Sequence, residues 1–289
     1  MLLSWLNILA GGVLIGIVYA LIGSGLTIMF GVMRVVNFAH GEMVVAGMYM
    51  GYFAHSLLGL PAPLAAIIAA VVMFAFGYLL QRLLVEKFMA RPQHIQFILF
   101  IGIALVITGL HLAVFGPDAH AVDGPITFAT ISLGPLSLDL VRVQAAGGAA
   151  VLILSLVLFL RLAPLGQAMR AAADNRTGSL VIGLNVPRIC ALASGIGAAC
   201  AGAAGALISP VFDTEPYLGL EFTLIAFVTV IVGGLGSLAG ALVGGVLIGL
   251  AEATAALAID PQLKTAFSYG LLLLVLLLRP RGLFGADAG

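Results

Sequence analysis

Apolar residues fill long blocks of this chain, and prolines, glycine pairs and charges fall in the gaps. Blocks near 6–31, 37–57, 62–84, 95–115, 141–162, 188–209, 220–240, 241–258 and 265–279 each come close to the ~20 residues that carry a helix through a bilayer core. The last pair before the end is divided only by Gly233-Gly-Leu-Gly-Ser237, which reads as a turn between two helices or as a break inside a re-entrant pair. The pattern predicts an all-α, polytopic membrane bundle of eight or nine hydrophobic segments, with one segment re-entrant or broken if the count is eight. It forms a single transmembrane domain over 1–289. Met1-Leu-Leu-Ser-Trp-Leu-Asn7 lacks a basic leader and a small-residue cleavage site, so it reads as the start of the first helix.

Composition agrees with the blocks. Of 289 residues, 62% are hydrophobic and 8% charged, against roughly 25% charged in soluble domains. The formal net charge of +0 and the scattered basic residues give no phosphate-tracking groove, which excludes a nucleic-acid partner. What charge there is sorts by side. Arg34, Arg82, Lys87, Arg91, Arg161, Arg170, Arg176, Arg188, Arg279 and Arg281 fall in alternate gaps, which the positive-inside rule places in the cytoplasm. Asp118, Asp123, Asp139, Asp213, Glu215, Glu221 and Asp260 fall in the others. Nine spans then put the N-terminus outside and the C-terminus inside. The longest external connection, Gly116 to Asp139, is rich in Pro, Gly and Asp, and reads either as a receiving surface or as a plain connector.

Glycines concentrate inside the blocks at small-xxx-small spacing, which lets helices approach closely. Gly11-Gly-Val-Leu-Ile-Gly16 recurs as Gly244-Gly-Val-Leu-Ile-Gly249, which chance or an internal duplication would explain equally well. Cys190 and Cys200 are roughly 15 Å apart along one helix, too far for a disulfide or a shared metal, and are read as packing residues.

Few ionisable groups lie within the apolar blocks, and each is a candidate for function because burying it in lipid is costly. Asn37-Phe-Ala-His-Gly-Glu42 brings two of them, His40 and Glu42, together with the polar Asn37. On a helix His40 and Glu42 are about 200° apart and need different partners, while Asn37 and His40 nearly share a face. One reading is a helix N-terminus set inside the bundle along a pathway, with amides suited to a carboxylate; the other is an interfacial cap led by Asn37. Glu252 is either paired, with Arg34 one candidate, or solvated near the external interface. Enzyme chemistry finds little footing. His40-Gly-Glu42 lacks the Pro-Cys-x-x-Cys of a zinc deaminase, there is no His-Glu-x-x-His, and Gly23-Ser24-Gly25 with His40 is a weak serine-protease pattern.

One polar stretch stands out, at 163–187. Gln167 to Asn175 is built of good helix formers, with Arg170 and Asp174 as an i,i+4 pair on an exposed face and with Gly178 and Gly183 expected to break the helix. Met169, Ala172, Ala173 and Arg176 give it a small mixed apolar and basic side. Such a segment fits a partner's groove or lies on the membrane surface. No Gly-x-x-x-x-Gly-Lys-Ser/Thr exists in the chain, so energy for transport would come from a partner.

Several motifs in one order resemble a known family: Tyr19-Ala-Leu-Ile-Gly-Ser-Gly-Leu-Thr-Ile-Met-Phe-Gly31, Asn37-Phe-Ala-His-Gly-Glu42, Arg170-Ala-Ala-Ala-Asp-Asn-Arg176 with Gly183-Leu-Asn185, Val232-Gly-Gly-Leu-Gly-Ser-Leu-Ala-Gly-Ala241 and Arg279-Pro-Arg-Gly-Leu-Phe284. Together they resemble the branched-chain amino acid ABC transporter permeases of the LivH type. The resemblance implies an inner-membrane permease subunit that works by alternating access, with a LivM-like second permease, two cytoplasmic ATPases that hold ATP and magnesium, and an external substrate-binding protein. No cofactor is expected in this chain itself. Asn37, His40 and Glu42, with Glu252, are then the candidate translocation residues. Arg170, Asp174, Asn175, Gly183 and Leu184 are the candidate ATPase-coupling residues, although Arg170-Ala171-Ala172 stands where many importers carry Glu-Ala-Ala. Urea, amides or aromatic acids are alternative cargoes for the same machinery, and a stand-alone secondary transporter is the alternative mechanism.

Overall fold

In the computed structural model, which describes residues 2–122, 129–134, 136–258 and 264–285, every apolar block becomes a helix. These are α1 (Leu2–Met33), α2 (His40–Leu58), α3 (Ala62–Leu83), α4 (Gln93–Phe115), α5 (Leu140–Leu162), α8 (Val186–Ile208), α9 (Gly219–Gly233), α10 (Leu238–Ala258) and α11 (Lys264–Leu278). Two shorter helices, α6 (Pro164–Asp174) and α7 (Arg176–Val181), lie between α5 and α8. Among the described residues, seven helices are long and apolar enough to cross a membrane. The other two are α2, which carries His40, Glu42 and His55, and α11, whose apolar stretch is Ala266–Leu278. The glycine-rich break at 233–237 is a turn joining α9 to α10. One element is not helical: β1 (Thr130–Leu133) pairs antiparallel with β2 (Leu136–Asp139), and Ser137 N donates to Asn7 Oδ1 at 3.1 Å, tying this hairpin to the start of α1. Asp123 and Asp260 lie outside the described residues.

Small residues decide how the bundle packs. Lipid tails are as apolar as leucine, so helices associate through close backbone approach rather than through expulsion of apolar surface. α8 is the central helix: α1, α2 and α3 lie along it, and its buried positions between Cys190 and Ala206 are all Ala, Gly, Ser or Cys. Cys190 and Cys200 are both free and buried there, as packing residues. The repeated glycine six-mers turn out to be partners. On antiparallel α1 and α10, a Cβ on Gly12 would lie 2.7 Å from Gly249 O, and one on Gly16 would lie 2.8 Å from Gly245 O. The backbones therefore touch where the motif recurs.

The end of the bundle that collects the arginines is also where the chain closes on itself. Leu283 N donates to Val232 O and Phe284 N to Gly233 O, both at 2.9 Å, so the segment after α11 satisfies the carbonyls that α9 leaves open at its C-terminus.

Candidate functional site

The most polar part of the interior is built around the start of α2. His40 Nε2 lies 3.0 Å from Ile22 O, and a carbonyl only accepts, so Nε2 carries the proton of that bond. Ile22 sits about three turns before the end of α1, roughly 16 Å back along its axis. The connector from Arg34 to Ala39 therefore doubles back beside α1, and α2 begins at mid-depth of the bundle. Phe38 holds the connector in place against Phe97 of α4 and Phe227 of α9, with ring centroids 4.6 and 4.9 Å away.

Asn37 and His40 both face α1, although Asn37 lies in the connector and only His40 belongs to the helix. Asn37 is fully buried, accepts from Ala39 N at 2.9 Å and lies 3.8 Å from Met29 Sδ. Two of the amides that open α2 are thereby used inside the protein: Ala39 N on Asn37 Oδ1, and Gly41 N on Thr223 Oγ1 at 2.9 Å. Ala39, rather than Asn37, is the N-cap residue. Glu42 points the other way, over Gly219 at the start of α9, where any side chain would overlap its carboxylate. Its Oε2 is 4.0 Å from His111 Nδ1 of α4, and among the described residues neither atom has a hydrogen-bond partner. Glu42 and His111 are both buried. The result is a desolvated carboxylate and imidazole facing each other across the α2–α4 seam.

Glu252 belongs to a different group. Tyr19 Oη donates to its Oε2 at 3.0 Å and Ser268 Oγ to its Oε1 at 3.2 Å, so three helices meet on one carboxylate. Arg34 is not its partner; that guanidinium donates to Ala173 O at 3.1 Å. We expect Tyr19→Phe to cost about 0.6 kcal/mol and at most about 1.7, the average and the maximum for interhelical hydrogen bonds in a membrane protein, seen as a lower thermal midpoint in detergent. An unchanged midpoint would mean the bond contributes nothing to stability.

At the basic end, α6 seats Gly166, Met169 and Ala172 against the bundle and leaves Arg170 and Asp174 exposed. These two make no ion pair among the described residues. The helix breaks at Asn175, not at Gly178: Asn175 is extended at φ −143° and its Oδ1 accepts from Gly178 N at 2.8 Å, which caps α7. Gly183, at φ +82°, ends α7, and Leu184 N returns to Ser179 O at 2.9 Å. The tip between them exposes Leu180, Val181 and Ile182.

The profile of the family described as branched-chain amino acid transport system / permease component matches residues 8–276. The chain belongs to this family. The permease is 31% identical over 294 residues to the high-affinity branched-chain amino acid transport system permease protein BraD of Pseudomonas aeruginosa, covering 97% of this chain and 96% of that one. It is 30% identical to LivH of Salmonella typhimurium, with 98% and 96% covered, and 24% identical to a probable LivH of Methanocaldococcus jannaschii, with 97% and 92% covered. No solved structure matches it. With its apolar helices, the permease is a multi-pass protein of the inner membrane.

Family membership replaces the protease reading, and geometry agrees: Ser24 Oγ donates to Ala20 O at 2.7 Å and is not bonded to His40. Sequence reasoning missed His111 and Thr223. His111 carried a usable signal, an ionisable residue inside an otherwise apolar block.

Proposed function

We propose that this permease is the membrane-spanning subunit of an ATP-driven importer for branched-chain or related amino acids, switching its pathway between the two faces of the membrane. The supporting observation is a continuous physical link. The carbonyl of Ala173 in α6 holds Arg34, and Arg34 opens the connector that delivers Asn37 and His40 to mid-depth. Arg34 has φ +57°, a backbone region that non-glycine residues seldom occupy, so the surrounding contacts hold this corner in place. A push on α6 reaches the buried polar site through one short stretch of chain.

The pushing would come from two cytoplasmic ATPases that bind ATP and magnesium, acting on the 163–187 segment. Three consecutive exposed apolar residues on a cytoplasmic tip are the kind of patch that a protein partner covers. A LivM-like second permease and an external substrate-binding protein complete the machine. The reading is tested by purifying the tagged chain from its native membrane in mild detergent and identifying what accompanies it. Stoichiometric ATPases and a second permease are the expected result. A lone chain that transports without ATP would overturn it.

For the pathway, we expect Asn37→Ala and His40→Ala each to lower uptake by about three- to thirtyfold, the equivalent of about 0.7–2 kcal/mol, with the complex still assembled. Normal uptake and normal substrate-stimulated ATP hydrolysis in both variants would reduce the motif to a structural cap.

A further inference from the structure

At the basic end α5 and α10 both lean on α1, and between them a cleft of about 460 Å³ remains open. Its walls are aliphatic, with Ile28, Ile153, Val157 and Leu242 among them, and its mouth carries Arg161 from the last turn of α5 and Arg170 from α6. Among the described residues neither guanidinium has a side-chain partner. Inside the cleft, Thr27 is 2% exposed and its hydroxyl has no hydrogen-bond partner, although Ser24, on the same helix, bonds back to the carbonyl four residues earlier. Gly31 lies along the same wall, and a Cβ added there would meet nothing within 4 Å.

The two guanidiniums at the mouth and the aliphatic walls describe a ligand that is anionic at one end and apolar along its length. We propose that the cleft binds one anionic phospholipid. Its phosphate sits between Arg161 and Arg170, and an acyl chain runs along Ile153, Val157 and Leu242. Arginine forks match phosphate oxygens, and basic pockets between membrane helices suit anionic headgroups. A transported amino acid fits less well. Among the described residues no carboxylate lines the cleft to receive an α-ammonium; Asp174 lines the adjoining hollow with Arg170 instead. The proposal does not depend on what powers transport.

The test is native mass spectrometry of the delipidated transporter, purified with whatever chains accompany it, after equal additions of phosphatidylglycerol or phosphatidylcholine. One phosphatidylglycerol should be retained per copy of this chain, with a preference over phosphatidylcholine of at least about tenfold, or 1.4 kcal/mol. Gly31→Leu adds a side chain on the cleft wall at a position where a Cβ meets nothing within 4 Å, and Arg161→Gln removes one guanidinium; each should cut that retention at least about fivefold. Should Gly31→Leu not fold, Arg161→Gln decides alone. Equal retention of phosphatidylcholine would overturn the proposal, as would phosphatidylglycerol retention unchanged in the variants. Loss of bound leucine, with lipid retention intact, would give the cleft to the substrate instead.

Discussion

Gly12→Leu should leave almost no folded permease. The α1–α10 seam closes backbone on backbone, and a Cβ on Gly12 would stand 2.6 Å from that of Ala253 and 2.7 Å from Gly249 O. A flexible side chain could turn aside, but a helix carbonyl moves only if the whole helix does. Overpacking a core typically costs about 1–3 kcal/mol, and prying two helices apart exceeds that, against a net stability of about 5–15 kcal/mol. The yield of monodisperse protein should fall more than about tenfold, one factor of ten per 1.4 kcal/mol. Gly109→Leu on α4, where a Cβ meets nothing within 4 Å, should behave as wild type. Equal yields from the two variants would show that the seam is not a close contact in the membrane.

The second large effect is expected at 163–187, where Arg170→Glu and Gly183→Trp should abolish most uptake while the chain still inserts. Arg170 is exposed on the outer face of α6, so reversing its charge alters what a partner meets and leaves the buried face of Met169 and Ala172 intact. Gly183 turns the chain at φ +82° beside the Leu180–Ile182 tip. Tryptophan there strains the turn by about 1–2 kcal/mol and adds bulk where the ATPase is proposed to sit. Uptake in membrane vesicles should drop at least about tenfold. Wild-type uptake in both variants would remove the coupling role from this segment.

Much of this architecture could be read from the sequence because lipid forces it. A block of twenty apolar residues has few choices other than a helix, and all nine blocks became helices. Opposite facing of His40 and Glu42 was equally legible, since it follows from the 3.6-residue turn alone. Distances across the fold were not. Nothing in the spacing of Glu252 indicates Tyr19 and Ser268, which reach it from two other helices, and Arg34 was a reasonable wrong partner on charge. Local chemistry misled once: Gly178 was expected to break the coupling helix, yet Asn175 breaks it, because its side chain offers the next helix a cap, while Gly183 does end that second helix. His111 was passed over although an ionisable residue inside an apolar run is itself a signal; what the sequence could not show is the carboxylate opposite it.

Because α2 opens at mid-depth with Asn37, His40 and Glu42, its synthesis poses a problem of timing. Its polar first turn is enclosed in part by α8 and α9, which begin at Val186 and Gly219, whereas α2 is complete at Leu58. At 5–20 residues per second, a ribosome needs about 6–25 s to reach α8. Through that interval α1 and then α4, with His111 opposite Glu42, can shelter its ionisable groups, but the α8 and α9 surfaces that close the rest of its first turn are still missing. The enclosure of α2 is therefore finished late, when the second half of the chain brings α8 and α9 against a helix made more than a hundred residues earlier.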